Sequence, residues 1–484
     1  MAQEAFDPYA VSAEAVQEPP DSFWETVARI GPGLILAGSI VGTGELIATT
    51  NLGAQVGFSL LWLVILSCFI KVFVQIELGR YAISSGETTL TSLSRLPGPG
   101  MLLVWWWLIM MLVTQTQLGA MVGGVGQSFH LAMPGVSPWL ADVISPVAPW
   151  LGDYVRAKPI MPWAFLTAVS AAILLVSGSY AVVEIGTTTL VVIFTIMTVI
   201  CVGILPWTPY GIDWAAVRGG FNIQIPKETA AIFAALAMFG ITGVGASELF
   251  SYPYWCIEKG YARFTGPRSD GEDWKRRATG WLRVMRFDAW ASMVVYTVAT
   301  LAFYFLGAAV LFGEYGGKGL PKGDDMVPTL ARMYSPVMGQ PLAVWFFVVG
   351  GFAVLYSTLF VASASHSRLL TDFLRINGFI VIRDHSHRLR WIRFFCVCFP
   401  TIALILYATI GEPTVMVKIG GFIQAVTLPM ICSAAVFLRY RRTDQRIRPG
   451  LLWDVFLWLS VVGMTIVAAR PFINLWQDYF KKGL

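Results

Sequence analysis

Two short segments of the sequence combine clustered glycines with a single carboxylate inside apolar stretches. Residues Gly38 to Glu45 read GSIVGTGE, and residues Gly240 to Glu248 read GITGVGASE. A glycine in a helix interior costs about 1 kcal/mol relative to alanine, so each cluster predicts a local unwinding that frees backbone carbonyls. Carbonyl and carboxylate oxygens are hard ligands, which suit Mg²⁺, Mn²⁺ or Ca²⁺. The chemistry predicted for these segments is therefore the binding of a divalent cation.

We interpret Glu45 as the principal ligand and Glu248 as a second acid at or beside the same site. Backbone groups near Gly42, Thr43 and Gly245 are expected to complete the polar lining. Polar side chains of three other apolar segments are expected to contact the water around the ion, namely Gln117, Ser357, Thr358 and Gln424. Two alternatives stay open, because membrane glycines often serve only close helix packing and either glutamate can be protonated or interfacial.

The composition explains why a carboxylate in an apolar segment matters. Of the 484 residues, 56% are hydrophobic and 13% are charged, and the mean hydropathy is +0.65. A soluble domain carries about 25% charged residues, whereas runs of about 20 apolar residues span a bilayer. Eleven segments are long enough to cross, roughly 29–50, 57–79, 101–127, 161–178, 184–206, 228–256, 286–312, 341–366, 391–410, 415–438 and 451–470.

The distribution of basic residues orients these segments. With the N-terminus inside, 22 Lys and Arg fall on the inner side and nine on the outer side, which the positive-inside rule favours. The net charge of +5 therefore reflects topology and does not indicate nucleic-acid binding. Residues 1–28 hold six acids and no Lys or Arg, as is typical of a cytoplasmic tail. We expect an integral multi-pass protein of a bacterial-type inner or plasma membrane.

The number of segments suggests an internal repeat. Two groups of five helices have opposite orientations, as in secondary transporters with inverted repeats, and each group here begins with a glycine cluster and a carboxylate. We expect a cytoplasmic tail at 1–28, a first five-helix repeat at 29–206, an extracellular linker at 207–227, a second five-helix repeat at 228–438, and an eleventh helix with its tail at 451–484.

Several motifs resemble the Nramp family of divalent metal transporters. They follow one another from about residue 29 to 438 and comprise Gly31-Pro-Gly-Leu-Ile35, the 42–45 region, Gly53-Ala-Gln-Val-Gly-Phe-Ser-Leu-Leu-Trp62, Tyr180-Ala-Val-Val-Glu184, Leu355-Tyr-Ser-Thr358 with Ala362-Ser-Ala-Ser-His-Ser367, and Gln424 with Leu428-Pro429. The resemblance implies an all-α, LeuT-like 5+5 inverted repeat in which helices one and six are broken. It also implies a divalent cation as substrate and the lipid bilayer as surroundings.

The sequence departs from this family at its metal site. Where Nramp proteins carry Asp-Pro-Gly-Asn on helix one, this chain has Gly42, Thr43, Gly44 and Glu45, and the helix-six Met-Pro-His is replaced by residues 244–246, Val-Gly-Ala. The loss of the soft Met sulfur favours harder ions. On helix three, Gln117 and Ala120 stand where the family has acids tied to proton movement. We therefore expect Mg²⁺-like or Mn²⁺-like cargo without proton coupling of the Nramp type, a pattern similar to the Nramp-related branch associated with magnesium.

The remaining polar residues receive plainer interpretations. His366 is interpreted as interfacial, with the alternative that it gates or binds an exiting ion. Asp288 is interpreted as opening a helix near residue 286, and Lys71 as snorkelling or meeting an acid. The six cysteines predict no disulfide framework or zinc site, and no cofactor is expected. A LeuT-fold transporter of a small organic solute, coupled to an ion, remains the alternative function. An enzyme is not expected, because no nucleophile and base pair lies within the spans.

Overall fold

The computed structural model describes residues 8–33, 41–177, 180–226 and 228–482, and the side chains of all of these except Thr43, 180–188 and 471–482. Within this part of the chain, nine helices are long and apolar enough to cross a membrane. A tenth crossing appears if the helices Pro149–Ala157 and Met161–Ser177, which meet at 96°, count as one span. The first expected span includes residues 34–40, which lie outside the described residues.

The helices follow one another with short connections. In chain order they are α1 Phe23–Arg29, α2 Thr50–Val56, α3 Leu61–Ser85, α4 Thr89–Ser94, α5 Gly100–Ala132, α6 Val136–Ile144, α7 Pro149–Ala157, α8 Met161–Ser177, α9 Tyr180–Ile204, α10 Trp214–Gly219, α11 Thr229–Ile241, α12 Ala246–Glu258, α13 Tyr261–Thr265, α14 Glu272–Leu306, α15 Phe312–Tyr315, α16 Met326–Arg332, α17 Ser335–Met338, α18 Gln340–Ile376, α19 His385–Ile410, α20 Pro413–Arg441 and α21 Leu451–Lys482. π-Helical turns precede α2 at Thr43–Thr49 and follow α14 at Gly307–Leu311.

The long helix α5 occupies the centre of the bundle. It packs against α8, α18, α19 and α20, while α3 packs against α12, α14 and α21. The centre of α5 is buried over its whole circumference from Thr114 to Ser128, as expected for a helix surrounded by others. The site residues carried by α5 are therefore enclosed by protein rather than by lipid.

The span formed by α11 and α12 is broken at the glycine cluster. Helix α11 ends at Ile241 and α12 begins at Ala246. Gly243 has φ +67°, a left-handed conformation that side chains other than glycine rarely adopt. The break leaves the last carbonyls of α11 and the first N–H groups of α12 without partners inside a helix, so groups from neighbouring helices must satisfy them.

Helix α14 begins much earlier than the sequence suggests. It starts at Glu272, so Asp288 lies inside the helix, and the prediction that Asp288 opens it is wrong. The carboxylate instead accepts hydrogen bonds from the backbone N–H groups of Gly31 at 3.1 Å and Gly33 at 2.5 Å. The sequence does not indicate the helical extension 272–285, because a segment so rich in charged residues is typical of a loop.

One end of the molecule, which we call the basic end, contains Arg268, Arg276, Arg388 and Arg446 together with their acidic and tail partners. There, Asp444 in the α20–α21 connection accepts hydrogen bonds from Arg446 and Arg268. The hydrogen bonds from Arg446 hold the pKa of Asp444 well below its usual range. The tail segment 8–20 lies on the same end, where Gln17 N donates to Phe264 O and Gln17 O accepts a hydrogen bond from the Trp281 indole Nε1.

Candidate functional site

A small polar cavity lies where α5, α12, α18 and α20 meet beside the helix break. It encloses about 20 Å³, which is room for about one water molecule or one dehydrated ion. Its lining is Gly44, Thr114, Gln117, Leu118, Met121, Ile241, Ser247, Glu248, Thr358, Ala362, His366 and Gln424. The cavity therefore combines one carboxylate with several neutral oxygen and nitrogen groups.

Glu248 is the carboxylate that reaches this cavity. It lies in the first turn of α12, where the helix dipole stabilises a negative charge. A methyl group placed on Gly245 would come within 2.5 Å of Glu248 Oε2, 2.7 Å of Gln424 Oε1 and 3.1 Å of Gly240 O. These three oxygens thus face the space beside the Gly245 Cα, which stays open only because the residue has no side chain.

Glu45 lies on the other side of the same break. Its carboxylate is fully buried, and Oε1 accepts a hydrogen bond from Gly243 N at 2.9 Å, with the Thr300 hydroxyl 3.3 Å away. Among the described residues, no donor reaches Oε2. Glu45 does not line the 20 Å³ cavity, although its neighbour Gly44 does. Both acids thus flank the break, but only Glu248 opens onto the cavity.

Two glutamines connect the break to α5. Gln424 Oε1 accepts a hydrogen bond from Ser247 N at 2.9 Å, and Gln424 Nε2 donates to Gln117 Oε1 at 3.1 Å. A carbonyl oxygen has two lone pairs, so Gln424 Oε1 retains one for a ligand. The chain Ser247–Gln424–Gln117 fixes the amide orientation and turns a carbonyl oxygen towards Glu248.

His366 joins the site from α18, and the prediction that it is interfacial is wrong. It is 3% exposed. Gln115 Nε2 donates to Met111 O and contacts His366 Nδ1, both within 3.1 Å, while His366 Nε2 lies 3.0 Å from Ser247 Oγ. Because the Gln115 nitrogen is a donor, this network assigns Nδ1 as acceptor and Nε2–H as donor to Ser247. The neutral imidazole therefore orients the Ser247 hydroxyl.

Of the other predicted site residues, some line the cavity and others lie beside it. Thr358 lines the cavity while its hydroxyl donates to Val354 O at 2.9 Å. Ser357 also donates to Val354 O, at 3.0 Å, and is not in the cavity lining. Gly42 packs against Thr358, since an added methyl would lie 2.0 Å from Thr358 Oγ1. Thr43 lies in the π-helical turn, and its side chain is outside the described residues.

The spacing of residues on α18 would have identified His366 as a cavity residue. On α18 the lining residues Thr358, Ala362 and His366 are four apart, so they share one face. The same rule applied from Thr358, which was already a candidate, identifies His366. Ser247 carries no comparable signal, because its role depends on how α12 begins after the break.

The donor set is unusual for a metal site. Among the described residues, no group of three or more His, Cys, Asp or Glu is placed to hold a metal ion. Any cation here would meet one or two carboxylates and otherwise neutral oxygens. Such a set suits a hard ion that keeps part of its water shell, as Mg²⁺ does.

Comparison with known proteins decides the family. The family model described as "Natural resistance-associated macrophage protein-like" (Nramp) matches residues 33–474. The chain belongs to the Nramp family. An uncharacterised protein of Pasteurella multocida is 23% identical over 476 residues, which cover 96% of each chain.

Solved structures support the same fold at low identity. The crystal structure of an Eremococcus coleocola manganese transporter variant matches 97% of this chain and 92% of its own, with TM-score 0.60 and 16% identity. MhsT bound to L-phenylalanine matches 93% and 99%, with TM-score 0.53 and 14% identity. Mhp1, a nucleobase-cation-symport-1 family transporter, matches 99% and 96%, with TM-score 0.54 and 14% identity. The predicted all-α LeuT-like fold and the Nramp resemblance are thereby confirmed.

Within the Nramp fold, the departures seen in the sequence alter the walls of the central cavity. Gly42 packs on Thr358, and Glu45 turns its Oε1 towards the helix break. Gln117 accepts the amide hydrogen of Gln424. This Nramp protein thus brings an acid from α12 and an imidazole from α18 to the cavity.

Proposed function

We propose that this Nramp protein carries Mg²⁺-like or Mn²⁺-like divalent cations across the membrane by alternating access. A divalent metal transporter follows from the family, and a related fold belongs to a manganese transporter. The observation that carries the proposal for this chain is the half-buried Glu248 carboxylate, which opens onto a cavity of about 20 Å³. A cavity of that size suits an ion better than an organic solute.

We assign direct contact with the cation to Glu248 and to the carbonyl oxygen of Gln424. Glu45 remains the second candidate acid, because its Oε2 accepts no hydrogen bond from the described residues and its neighbour Gly44 lines the cavity. That Glu45 is the principal ligand stays a prediction. The backbone at Gly42, Thr43 and Gly245 completes the proposed path.

We propose uptake into the cytoplasm, with the N-terminus and the basic end inside. An inward-moving dication gains about 4.6 kcal/mol at 100 mV, since each charge gains about 2.3 kcal/mol. The absence of acids at positions 117 and 120 supports transport without proton coupling of the Nramp type. The membrane potential is then a sufficient driving force.

The test is metal uptake into proteoliposomes by the wild type, Glu248→Gln and Glu45→Gln. Glu248→Gln keeps the side-chain shape but removes the charge, so we expect uptake of Mn²⁺ or Mg²⁺ to fall at least tenfold. Isothermal titration of the same proteins should show a heat of metal binding that disappears in Glu248→Gln. Internal pH is recorded during uptake, and no acidification is expected.

Glu272→Gln is the matched control, because Glu272 is exposed near the start of α14, and it should transport like the wild type. Uptake that is unchanged in both Glu248→Gln and Glu45→Gln would refute the site. Uptake of an amino acid or another organic solute, with no divalent metal binding, would support the alternative function instead. Internal acidification that follows metal entry would refute uncoupled transport.

A further inference from the structure

A lysine is buried in the middle of a membrane-spanning helix beside the helix break. Lys71 of α3 has no exposed surface. Its ammonium donates hydrogen bonds to the carbonyl oxygens of Phe239 and Thr242, the latter at 2.7 Å. The hydroxyl of Ser67, one turn earlier, lies 3.4 and 3.2 Å from the same two oxygens. A lysine at the centre of a span costs roughly 2.5–3.5 kcal/mol on insertion scales, so these partners must offset a large penalty.

One peptide group, Thr242–Gly243, forms hydrogen bonds with both Lys71 and Glu45. The Thr242–Gly243 peptide accepts from Lys71 through its carbonyl and donates to Glu45 Oε1 through its N–H, at 2.9 Å. The cation and the anion therefore bind opposite ends of one peptide. The left-handed Gly243, at φ +67°, allows the chain to turn so that both ends are presented. The peptide thus lies between the Lys71 ammonium and the Glu45 carboxylate.

The position of the ammonium is where a free cation would be expected to bind. The C-terminal end of a half-helix carries partial negative charge, and such ends, with unwound carbonyls, coordinate Na⁺ in many secondary transporters. Here two carbonyl oxygens at the end of α11, those of Phe239 and Thr242, are bound by the Lys71 ammonium. The side of the break that faces the cavity, with Gly245, Ser247 and Glu248, has no corresponding fixed cation among its lining residues.

We propose that Lys71 is a tethered counter-cation that takes the place of a free monovalent ion. While the cavity is empty, its ammonium compensates Glu45 through the shared peptide. The transport cycle then requires no bound Na⁺ or other monovalent cation. The claim that transport requires no Na⁺ rests on the proposed function. The placement of the Lys71 ammonium does not.

The first test uses binding and does not depend on transport. Lys71→Ala removes the ammonium and leaves a space beside the carbonyl oxygens of Phe239 and Thr242. We expect its melting temperature in detergent to lie below that of the wild type. Methylammonium chloride should raise it by several degrees more than choline chloride at the same concentration, because choline is too large for the space. The wild type and Lys71→Arg should respond equally to both salts.

Two further variants make this test specific. Lys418→Ala removes another lysine from a spanning helix, α20, and should show no preference for methylammonium. The double variant Glu45→Ala/Lys71→Ala should lose the preference, since the carboxylate that the amine would compensate is gone. An equal response of Lys71→Ala to methylammonium and choline, or an unchanged preference in the double variant, would overturn the proposal.

The second test remains available if Lys71→Ala does not fold. Wild-type metal uptake is compared in media that contain Na⁺, K⁺ or choline, and equal rates are expected. A strict requirement for Na⁺ or K⁺ would overturn the role of Lys71. A wild type that carries no divalent metal would refute the proposed function instead, while the thermal test of Lys71 would still stand.

Discussion

At the scale of single residues, Gly245 makes the sharpest prediction. Its backbone is extended, with φ −71° and ψ 173°, so alanine is tolerated conformationally. The added methyl, however, would lie 2.5 Å from Glu248 Oε2 and 2.7 Å from Gln424 Oε1, closer than real side chains approach. We expect Gly245→Ala to displace both groups and to lower metal uptake at least tenfold while the protein still folds.

The matched control is Gly203→Ala in α9, where an added methyl meets nothing within 4 Å. Uptake and melting temperature are measured for both variants. Gly203→Ala should match the wild type in both. If Gly245→Ala transports normally, the oxygens beside Gly245 do not form part of the cation path.

Four polar side chains of the cavity lining, those of Gln117, Glu248, Thr358 and Gln424, were predictable from the sequence, but the different roles of the two acids were not. A carboxylate after a glycine cluster identifies Glu248 and Glu45 equally well in the sequence. Only the structure separates them, because Glu45 accepts a hydrogen bond from Gly243 N whereas Glu248 lines the cavity. The sequence also offers no means of recognising that the carbonyls at the end of α11 bind a lysine from α3.

At the scale of elements, the broken span was predictable because glycine clusters and apolar length are local features. The anchoring of Gly31 and Gly33 was not, since it depends on a contact across more than 250 residues. Asp288 accepts hydrogen bonds from both Gly31 N and Gly33 N and lies in the interior of α14. Residues 272–285 of α14 are rich in charged side chains, so the sequence suggests a loop there and not a helix that contains Asp288.

We therefore predict that Asp288 anchors the segment that contains Gly31 and Gly33. Hydrogen bonds to a charged group contribute roughly 1.5–3 kcal/mol each, and Asp288 is fully buried. We expect Asp288→Ala to lower the melting temperature clearly and to reduce metal uptake, because two N–H groups lose their acceptor. Thermal unfolding in detergent and proteoliposome uptake measure the two effects.

Asp273→Asn is the control on the same helix, since Asp273 is exposed and forms an ion pair with the exposed Arg276 at 3.4 Å. Its melting temperature should change little. A melting temperature of Asp288→Ala equal to that of Asp273→Asn would contradict the anchoring role.

At the scale of the whole molecule, the tail segment 8–20 links elements that are far apart in the chain. The Tyr9 ring packs edge-on against Tyr254 at 5.9 Å, and the Arg388 guanidinium lies 4.7 Å above it. Arg388 donates to the Tyr9 hydroxyl at 2.5 Å and to Glu258 at 3.0 Å. Tyr9 thereby joins the end of α12 to the start of α19. The sequence indicates a tail outside the membrane but contains no sign of this docking.

The proposed alternating-access cycle requires helices to separate at one end of the molecule and then at the other, and Tyr9 joins α12 and α19 at the basic end. We expect Tyr9→Ala to loosen this end, because it removes the ring, the cation–π contact and the hydroxyl together. Backbone hydrogen exchange should become faster around 254–258 and 385–390 than in the wild type. Tyr9→Phe keeps the ring and should show a smaller increase, while Glu14→Ala, an exposed tail residue, should show none. Since α12 carries both Glu248 and the contact with Tyr9, unchanged exchange at 254–258 in Tyr9→Ala would mean that the tail does not restrain the helix that bears the cavity acid.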